Sequence, residues 1–530
     1  MTAGTRPTAG TGASGADGTA EARRSARTGL AGLAGAATNG LFGFLLAVVI
    51  TRGYGTVGSG AFFAAIGVVT VTAAICTLGA ETGLIWTLPR RRPGRGGDAA
   101  RVLPVALLPP LVAAVAVAVC GVLAADTLAP RLLDASGGTG TTLLAVSFAT
   151  VPLVVVMTLL LAVLRCVRPI RAYVGVQSVL VPVARPVLVG AAALTSGGVL
   201  IGMIGWVVPV AIAVLACLVL VTGPLGIGRG ATVRPERADW SAFWRFALPR
   251  AASAAIDASA VWVGVLLTSV LAGQADAGVF GAVGRYILAG QLAMQGLRVA
   301  VSPQLSRLLG SGERVAAATV HRQMTTWALV LSWPVYLLLA VFGLAFLQLF
   351  GPGFTAGATA ITVLALAMLV NTGVGNVQTL LLMSGRSGLH LAATVAGLVV
   401  TVSLGLWLIP RHGVTGAALA WAAGIATENL ISFVCARVVI GQPLVDAALA
   451  RAAAAVVVGV GIAALAGVLS GGRGIAGLVV ALIVLVAGCV GLLTVPGVRR
   501  RIRVTMGQFR RGRTAAPVAA DAAATSTKGR

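Results

Sequence analysis

The sequence predicts an all-α polytopic integral membrane protein of about 14 transmembrane helices, and three observations carry that reading. Of 530 residues, 58% are hydrophobic and only 10% charged, a balance that soluble domains of this length do not sustain. Apolar runs of about 20 residues recur along the chain, and such a run rises roughly 30 Å as a helix, the thickness of a bilayer core. The basic residues, 38 of 39 of them Arg, are concentrated in alternate gaps between those runs and in the two tails.

The runs fall at roughly 29–51, 59–88, 102–125, 141–164, 172–196, 199–222, 250–271, 279–302, 327–349, 358–383, 389–409, 414–436, 452–470 and 475–495. With a cytoplasmic N-terminus, the inner loops and tails hold 32 Lys and Arg, and the outer loops hold four, Arg52, Arg131, Arg411 and Arg473. That asymmetry is the positive-inside rule, and it supports an even number of spans, because one missed span would invert every later loop. It also accounts for the net charge of +25 without nucleic-acid binding. Arg23-Arg24 precede an apolar run of about 22 residues, longer than the apolar region of a secretion signal, so the run reads as an uncleaved first span. The six cysteines do not pair within an external loop, and no structural disulfide is expected.

The stretch from Ala247 to Leu309 shows the repeating unit. An apolar segment carrying Asp257 is followed by a tight turn at 272–278, then by a second segment carrying Arg285, Gln291, Gln295 and Arg298. This is a transmembrane hairpin. The turn Gly273-Gln-Ala-Asp-Ala-Gly278 has the glycine spacing of Gly53-Tyr-Gly-Thr-Val-Gly58 between the first two spans. Two halves of six spans follow from that repeat, 29–222 as an N-lobe and 250–436 as a C-lobe. Residues 223–249 join them. Trp240, Phe243, Trp244 and Phe246 lie there between Arg237 and Arg250, a pattern suited to an amphipathic helix at the membrane surface. Residues 437–495 hold two further spans, 1–28 read as a disordered cytoplasmic tail, and 496–530 as a basic cytoplasmic tail.

Several chemistries are excluded. Gly53-x-Gly-x-x-Gly58 has the glycines of a dinucleotide loop but apolar spans on both sides in place of a βαβ unit. Gly226-Ile-Gly-Arg-Gly230 lacks the Lys-Ser/Thr of a phosphate loop. His321, His390 and His412 sit at predicted span ends without metal-ligand spacing. No nucleophile motif or outer pair of acids is present. No catalytic residue, metal or cofactor is therefore assigned, and the chain is not expected to be an enzyme.

The chemistry that remains lies in polar residues at bilayer depth, where each charge costs a few kcal/mol. Arg185 is mid-span between Pro182 and Pro186, either a cation awaiting an anionic substrate or one partner of a buried ion pair. Ser178, seven residues earlier, is on nearly the same helical face. Arg285, Gln291, Gln295 and Arg298 suggest a wetted wall, the last three sharing a face at i, i+4, i+7; Arg298 lies near the inner end, where a guanidinium can also snorkel. Glu81, Asp257 and Glu428 are candidates for H+ or Na+ coupling or for gating, and alternatively fixed partners of the arginines.

Leu78-Gly-Ala-Glu81-Thr-Gly-Leu-Ile-Trp-Thr-Leu-Pro89-Arg, Gly278-Val-Phe-Gly-Ala-Val-Gly-Arg285-Tyr, Val301-Ser-Pro-Gln-Leu-Ser-Arg307-Leu, Leu349-Phe-Gly-Pro-Gly-Phe354 and Leu408-Ile-Pro410-Arg-His-Gly413-Val-Thr-Gly-Ala-Ala-Leu-Ala420 mark a family. Over roughly 29–495 the chain resembles the Wzx-type polysaccharide-biosynthesis flippases of the multidrug/oligosaccharidyl-lipid/polysaccharide (MOP) exporter superfamily. The resemblance implies two six-helix lobes, MATE-like, around a central cavity, with two C-terminal helices added. It implies a bacterial plasma membrane and transfer of a lipid-linked oligosaccharide from inner to outer leaflet by alternating access. Membrane lipids, the lipid-linked glycan and glycan-biosynthesis enzymes are the partners it implies. Glu81 takes the acidic position of the motif after the second span, where Asp is commoner, and Trp86 stands where Arg is frequent. A MATE-like drug or metabolite antiporter is the nearest alternative. A membrane glycan polymerase or ligase is the next, and the short outer loops count against it.

Overall fold

The computed structural model describes residues 13–90, 98–133, 138–195, 198–225, 235–441 and 443–494. All regular structure among them is helical. Helix α1 (Ala13–Cys76) has 64 residues, and as one rod would reach roughly 96 Å, three bilayer cores. It is interrupted at Gly55 (φ 66°, ψ −168°), a left-handed conformation that glycine adopts without Cβ strain. Residues 36–50 and 63–70 then line one cavity, so the two arms form a hairpin about the predicted turn. The helix begins at Ala13, inside the tail expected to be disordered. Residues 1–12, and the basic tail from 495 onward, lie outside the described residues.

After α1 the chain turns through Leu78 (φ 51°) and Gly79 (φ 72°) and restarts as α2 (Ala80–Thr87). α3 (Asp98–Leu123), the short α4 (Ala125–Leu132) and α5 (Gly138–Val167) follow. The fifth predicted span is composite, with α6 (Ile170–Val174), a π-helical turn at Gly175–Leu180 and α7 (Val181–Ala193). Proline at 182 has no N–H to return to Ser178, and the wider turn absorbs that missing bond. α8 (Gly198–Thr222) completes the first lobe.

α9 (Arg237–Ala272) bends by 52° between its segments Arg237–Ile256 and Val261–Ala272. In its start, expected as an amphipathic helix, Phe243 and Ala247 are buried on one face while Arg245, Leu248 and Arg250 are exposed. The glycines of α2 make that docking possible, since a Cβ at Gly83 would stand 2.6 Å from the Phe243 ring and one at Gly79 would meet the Ala247 carbonyl. Trp86 stacks on Phe246 at 4.3 Å, and the Arg250 guanidinium carbon is 4.5 Å from the centroid of that Phe246 ring. Part of the joining segment, 226–234, lies outside the described residues.

α10 (Gln274–Gly290) and α11 (Leu292–Gly310) form the eighth predicted span, broken at Gln291. α12 (Arg314–Gln348) is followed by another broken span, α13 (Ala358–Val374) and α14 (Val377–Met383), interrupted at Gly375 (φ 79°). α15 (Ser387–Ile440) has 54 residues and reverses at Gly413 (φ 50°, ψ −128°), so that Thr394 in one arm donates a hydrogen bond to Glu428 in the other. α16 (Ala447–Gly471) and α17 (Ile475–Thr494) pack on α12 around Phe342, Val460 and Ala481. Among the described residues, ten helices are individually long and apolar enough to cross a bilayer, eleven with the bent α9. With two of them doubled back and two spans broken, the architecture is consistent with the expected 14. Ile483, Val486 and Val490 on α17 point outward, as lipid-facing side chains do.

The cores divide the molecule by height. At the end carrying the turns at Gly55, Gly273 and Gly413, one apolar cluster runs through both lobes, with Phe62 and Phe63 of α1, Phe280 of α10 and Phe350 and Phe354 beyond α12. At the opposite, arginine-rich end each lobe has its own core, one around Leu84, Leu160 and Val214 and the other around Leu305, Met324 and Leu381.

Candidate functional site

Between the lobes lies a cavity of about 450 Å³ whose walls come from α1, α7, α8, α9, α10 and α11. Arg185 and Arg285 both line it, one from each lobe. α7 carries Arg185 one turn beyond the π-helical segment, and that wider turn breaks the 3.6-residue register. Ser178, expected on nearly the same face, is buried against Gly35 of α1 instead. α10 carries Arg285, and the next residue anchors that helix, with Tyr286 Oη donating to the Phe346 carbonyl at 2.6 Å. From α12, Tyr336 Oη donates to the Ile287 carbonyl at 3.1 Å.

Neither arginine has an acidic partner among the described residues; the ion pairs found there, Arg101–Glu236 at 2.8 Å and Arg322–Asp446 at 3.7 Å, lie elsewhere. Aromatic rings take the carboxylates' place. The Arg185 guanidinium carbon sits 3.9 Å from the Trp206 ring centroid, and the buried Nε has no hydrogen-bond partner. The Arg285 guanidinium carbon is 4.8 Å from Trp262 and 5.4 Å from Phe63. Each cation–π contact returns about 0.5–2 kcal/mol, and a guanidinium at bilayer depth costs about 2.5–3.5 kcal/mol. The aromatic seats therefore hold the two cations without neutralising them. Trp206, Trp262 and Phe63 were not singled out from the sequence, although a tryptophan in mid-span, away from the interfacial belts it favours, is a signal of its own.

A second cavity of about 260 Å³ opens within the C-lobe. Gln291, Gln295 and Arg298 line it, and Gln295 and Leu288 belong to both cavities. Gln291 and Arg298 thus face the C-lobe cavity and not the one holding the arginine pair. The break at Gly375 opens the wall, for a Cβ there would run into Thr325 and crowd His321 at 3.0 Å. Asn376 caps the resumed helix through Oδ1, which accepts from Thr379 N at 3.2 Å.

The three acids part company. Glu428 lines the C-lobe cavity, its Oε1 accepting from Gln378 Nε2 at 2.7 Å and Thr394 Oγ1 at 3.1 Å. Glu81 is on α2 beside the α9 docking site and lines neither cavity. Asp257 is on α9 near its bend, and its side chain lies outside the described residues. His321 and His390 are buried within α12 and α15, and α12 begins a dozen or so residues ahead of the predicted span start at 327.

No protein-family profile and no curated protein sequence matches the chain. Solved structures do. An inward-facing multidrug resistance MATE family transporter of the MOP superfamily superposes with a TM-score of 0.61 at 16% identity, covering 78% of this chain and 96% of its own. The lipid II flippase MurJ in an inward closed conformation gives 0.61 at 11% identity, over 84% and 96%. A MOP superfamily transporter from Pyrococcus furiosus, described as having a binding pocket of reversed polarity, gives 0.54 at 16%, over 79% and 96%. The fold of this chain is the one shared by MATE transporters and the MurJ flippase.

Proposed function

We propose that the protein is an alternating-access flippase that moves a polyprenyl-diphosphate-linked oligosaccharide from the inner to the outer leaflet for cell-surface polysaccharide biosynthesis. The observation that carries this reading is the pair of arginines in the interlobe cavity, seated on aromatic faces and without ion-pair partners among the described residues. A diphosphate brings oxygens that a planar guanidinium binds bidentately, and each charge-assisted bond contributes about 1.5–3 kcal/mol, more than the cation–π seat alone recovers. The lipid tail stays in the bilayer while the polar headgroup crosses between the lobes. The arginine-rich end is then the cytoplasmic one, with the termini inside and the cavity loaded from the inner leaflet. Coupling to H+ or Na+ falls first to Glu428, whose carboxylate accepts from Gln378 and Thr394 at the edge of the headgroup's path. Glu81 and Asp257 are secondary assignments for that role.

Arg185→Ala and Arg185→Lys are both expected to lower glycan export by about tenfold or more while leaving the amount of protein in the membrane unchanged. Export at the wild-type level by both variants refutes the role. The antiporter alternative draws on the C-lobe cavity, where Glu428, Met294, Met368 and Trp421 are groups that suit an organic cation. Drug resistance on overexpression, persisting in Arg185→Ala, favours that alternative.

A further inference from the structure

The C-lobe cavity has a composition unlike that of the arginine cavity beside it. Its polar wall is built mainly from neutral amides, Gln291, Gln295, Asn371, Gln378 and Asn429, with the indole of Trp421 alongside. Several are tied from behind at one end only. Asn429 Nδ2 donates to Asn371 Oδ1 at 2.9 Å and to the Ile425 carbonyl at 2.8 Å, and Gln378 Nε2 donates to Glu428. Asn429 Oδ1, Gln378 Oε1 and the whole Gln295 amide have no protein partner among the described residues. Trp421 is held edge to face against Phe280 at 5.9 Å, so its orientation is set.

We infer that this cavity is a sugar subsite that binds the glycan of the transported lipid while the arginine cavity binds its diphosphate; the inference rests on the flippase reading above. A sugar hydroxyl both donates and accepts, and an amide offers two donors and an acceptor with two lone pairs, so a ring of half-secured amides matches a polyhydroxylated ligand. An indole supplies an apolar platform for the C–H face of a pyranose. The volume corresponds to about nine waters, far more than a bare cation fills. Gln295 and Leu288, shared by both cavities, make the two compartments neighbours, as the directly bonded diphosphate and sugar of one ligand require.

The test uses the full-length protein, purified from its own membrane in mild detergent. Mass spectrometry measures the ratio of glycosylated to bare polyprenyl diphosphate retained, and native mass spectrometry measures binding of added undecaprenyl diphosphate. Wild type is expected to retain the glycosylated lipid. Asn371→Leu and Trp421→Leu are each expected to cut that ratio by about tenfold, the loss of one or two good contacts, with undecaprenyl diphosphate binding unchanged. Arg185→Ala is expected to lose both lipids. An unchanged ratio in both variants that bind undecaprenyl diphosphate normally overturns the sugar subsite and leaves the arginine reading standing. So does a wild type that retains only bare lipid. A wild type that does not bind undecaprenyl diphosphate overturns the flippase reading, and the subsite with it. Tight binding of tetraphenylphosphonium by wild type, abolished in Glu428→Gln, assigns the cavity to cations and overturns the subsite as well.

Discussion

The two ends of the molecule are built on opposite plans. At the turn end the lobes share one core, and polar groups stitch its rim. Arg52 in α1 donates from Nε to the Leu349 carbonyl at 2.8 Å and from Nη2 to the Gln348 carbonyl at 3.2 Å, capping the end of α12 across the lobe boundary. Gln274 Nε2 reaches the Leu132 carbonyl at 2.9 Å in the same way. The turns of the internal repeat meet here, with Gly60 against the Gln274 carbonyl and Gly278 against the Thr56 carbonyl. At the arginine-rich end the cores are separate, joined through the start of α9 on α2, and the cavity lies between the lobes. A protein joined at one end and divided at the other is open in one direction. The seam consists of side chains on backbone carbonyls and close glycine contacts; in the proposed alternating-access cycle these are the contacts that part, without leaving a buried charge behind.

The largest expected effect is therefore at the glycine contacts. Gly60→Val or Gly278→Val forces a side chain into the opposing backbone and is expected to cost about 3 kcal/mol or more, read as a lower unfolding midpoint in detergent. Either change should also expose a Ser59→Cys thiol, buried in the parent, to a membrane-impermeant reagent. Unaltered labelling would show that the turns do not seal that end. Arg52→Ala comes next, removing hydrogen bonds from a charged donor worth about 1.5–3 kcal/mol, with Ser59→Cys labelling raised several-fold. Arg52→Lys should fall between it and the parent, because an ammonium cannot span two carbonyls as a guanidinium does. Gly375→Ala sharpens the contrast from the other side. Its strain of about 1–3 kcal/mol is local to the C-lobe, so stability should fall while Ser59→Cys labelling stays at the parent level. If labelling rises with it, the two ends are not independent.

Much of the fold was legible because its determinants are local. Apolar run length, the glycines at 55, 273 and 413 and the prolines around Arg185 each act within a few residues of themselves. The arginines stood out for the same reason, as charges where apolar residues belong. Glu81 illustrates the limit. Its motif reads as functional, and its two neighbouring glycines turn out to seat Phe243 and Ala247 of α9. The acid lies on the other side of α2, near Arg165, and lines neither cavity. Spacing also misled at Ser178, where one π-helical turn cancelled a register that an ideal helix would have kept.

From the sequence alone came the membrane class, the helical hairpins and the short set of charges stranded at depth, since a bilayer tests each segment singly for length and polarity. Whether those charges would be neutralised, and by what, was decided by residues far away in the chain. Arg285 meets Phe63 and Trp262, Arg185 meets Trp206, and the amides of α11, α13, α14 and α15 converge only after two long helices double back. Long-range packing chooses the partner of a buried polar group, and no periodicity in a single segment records that choice.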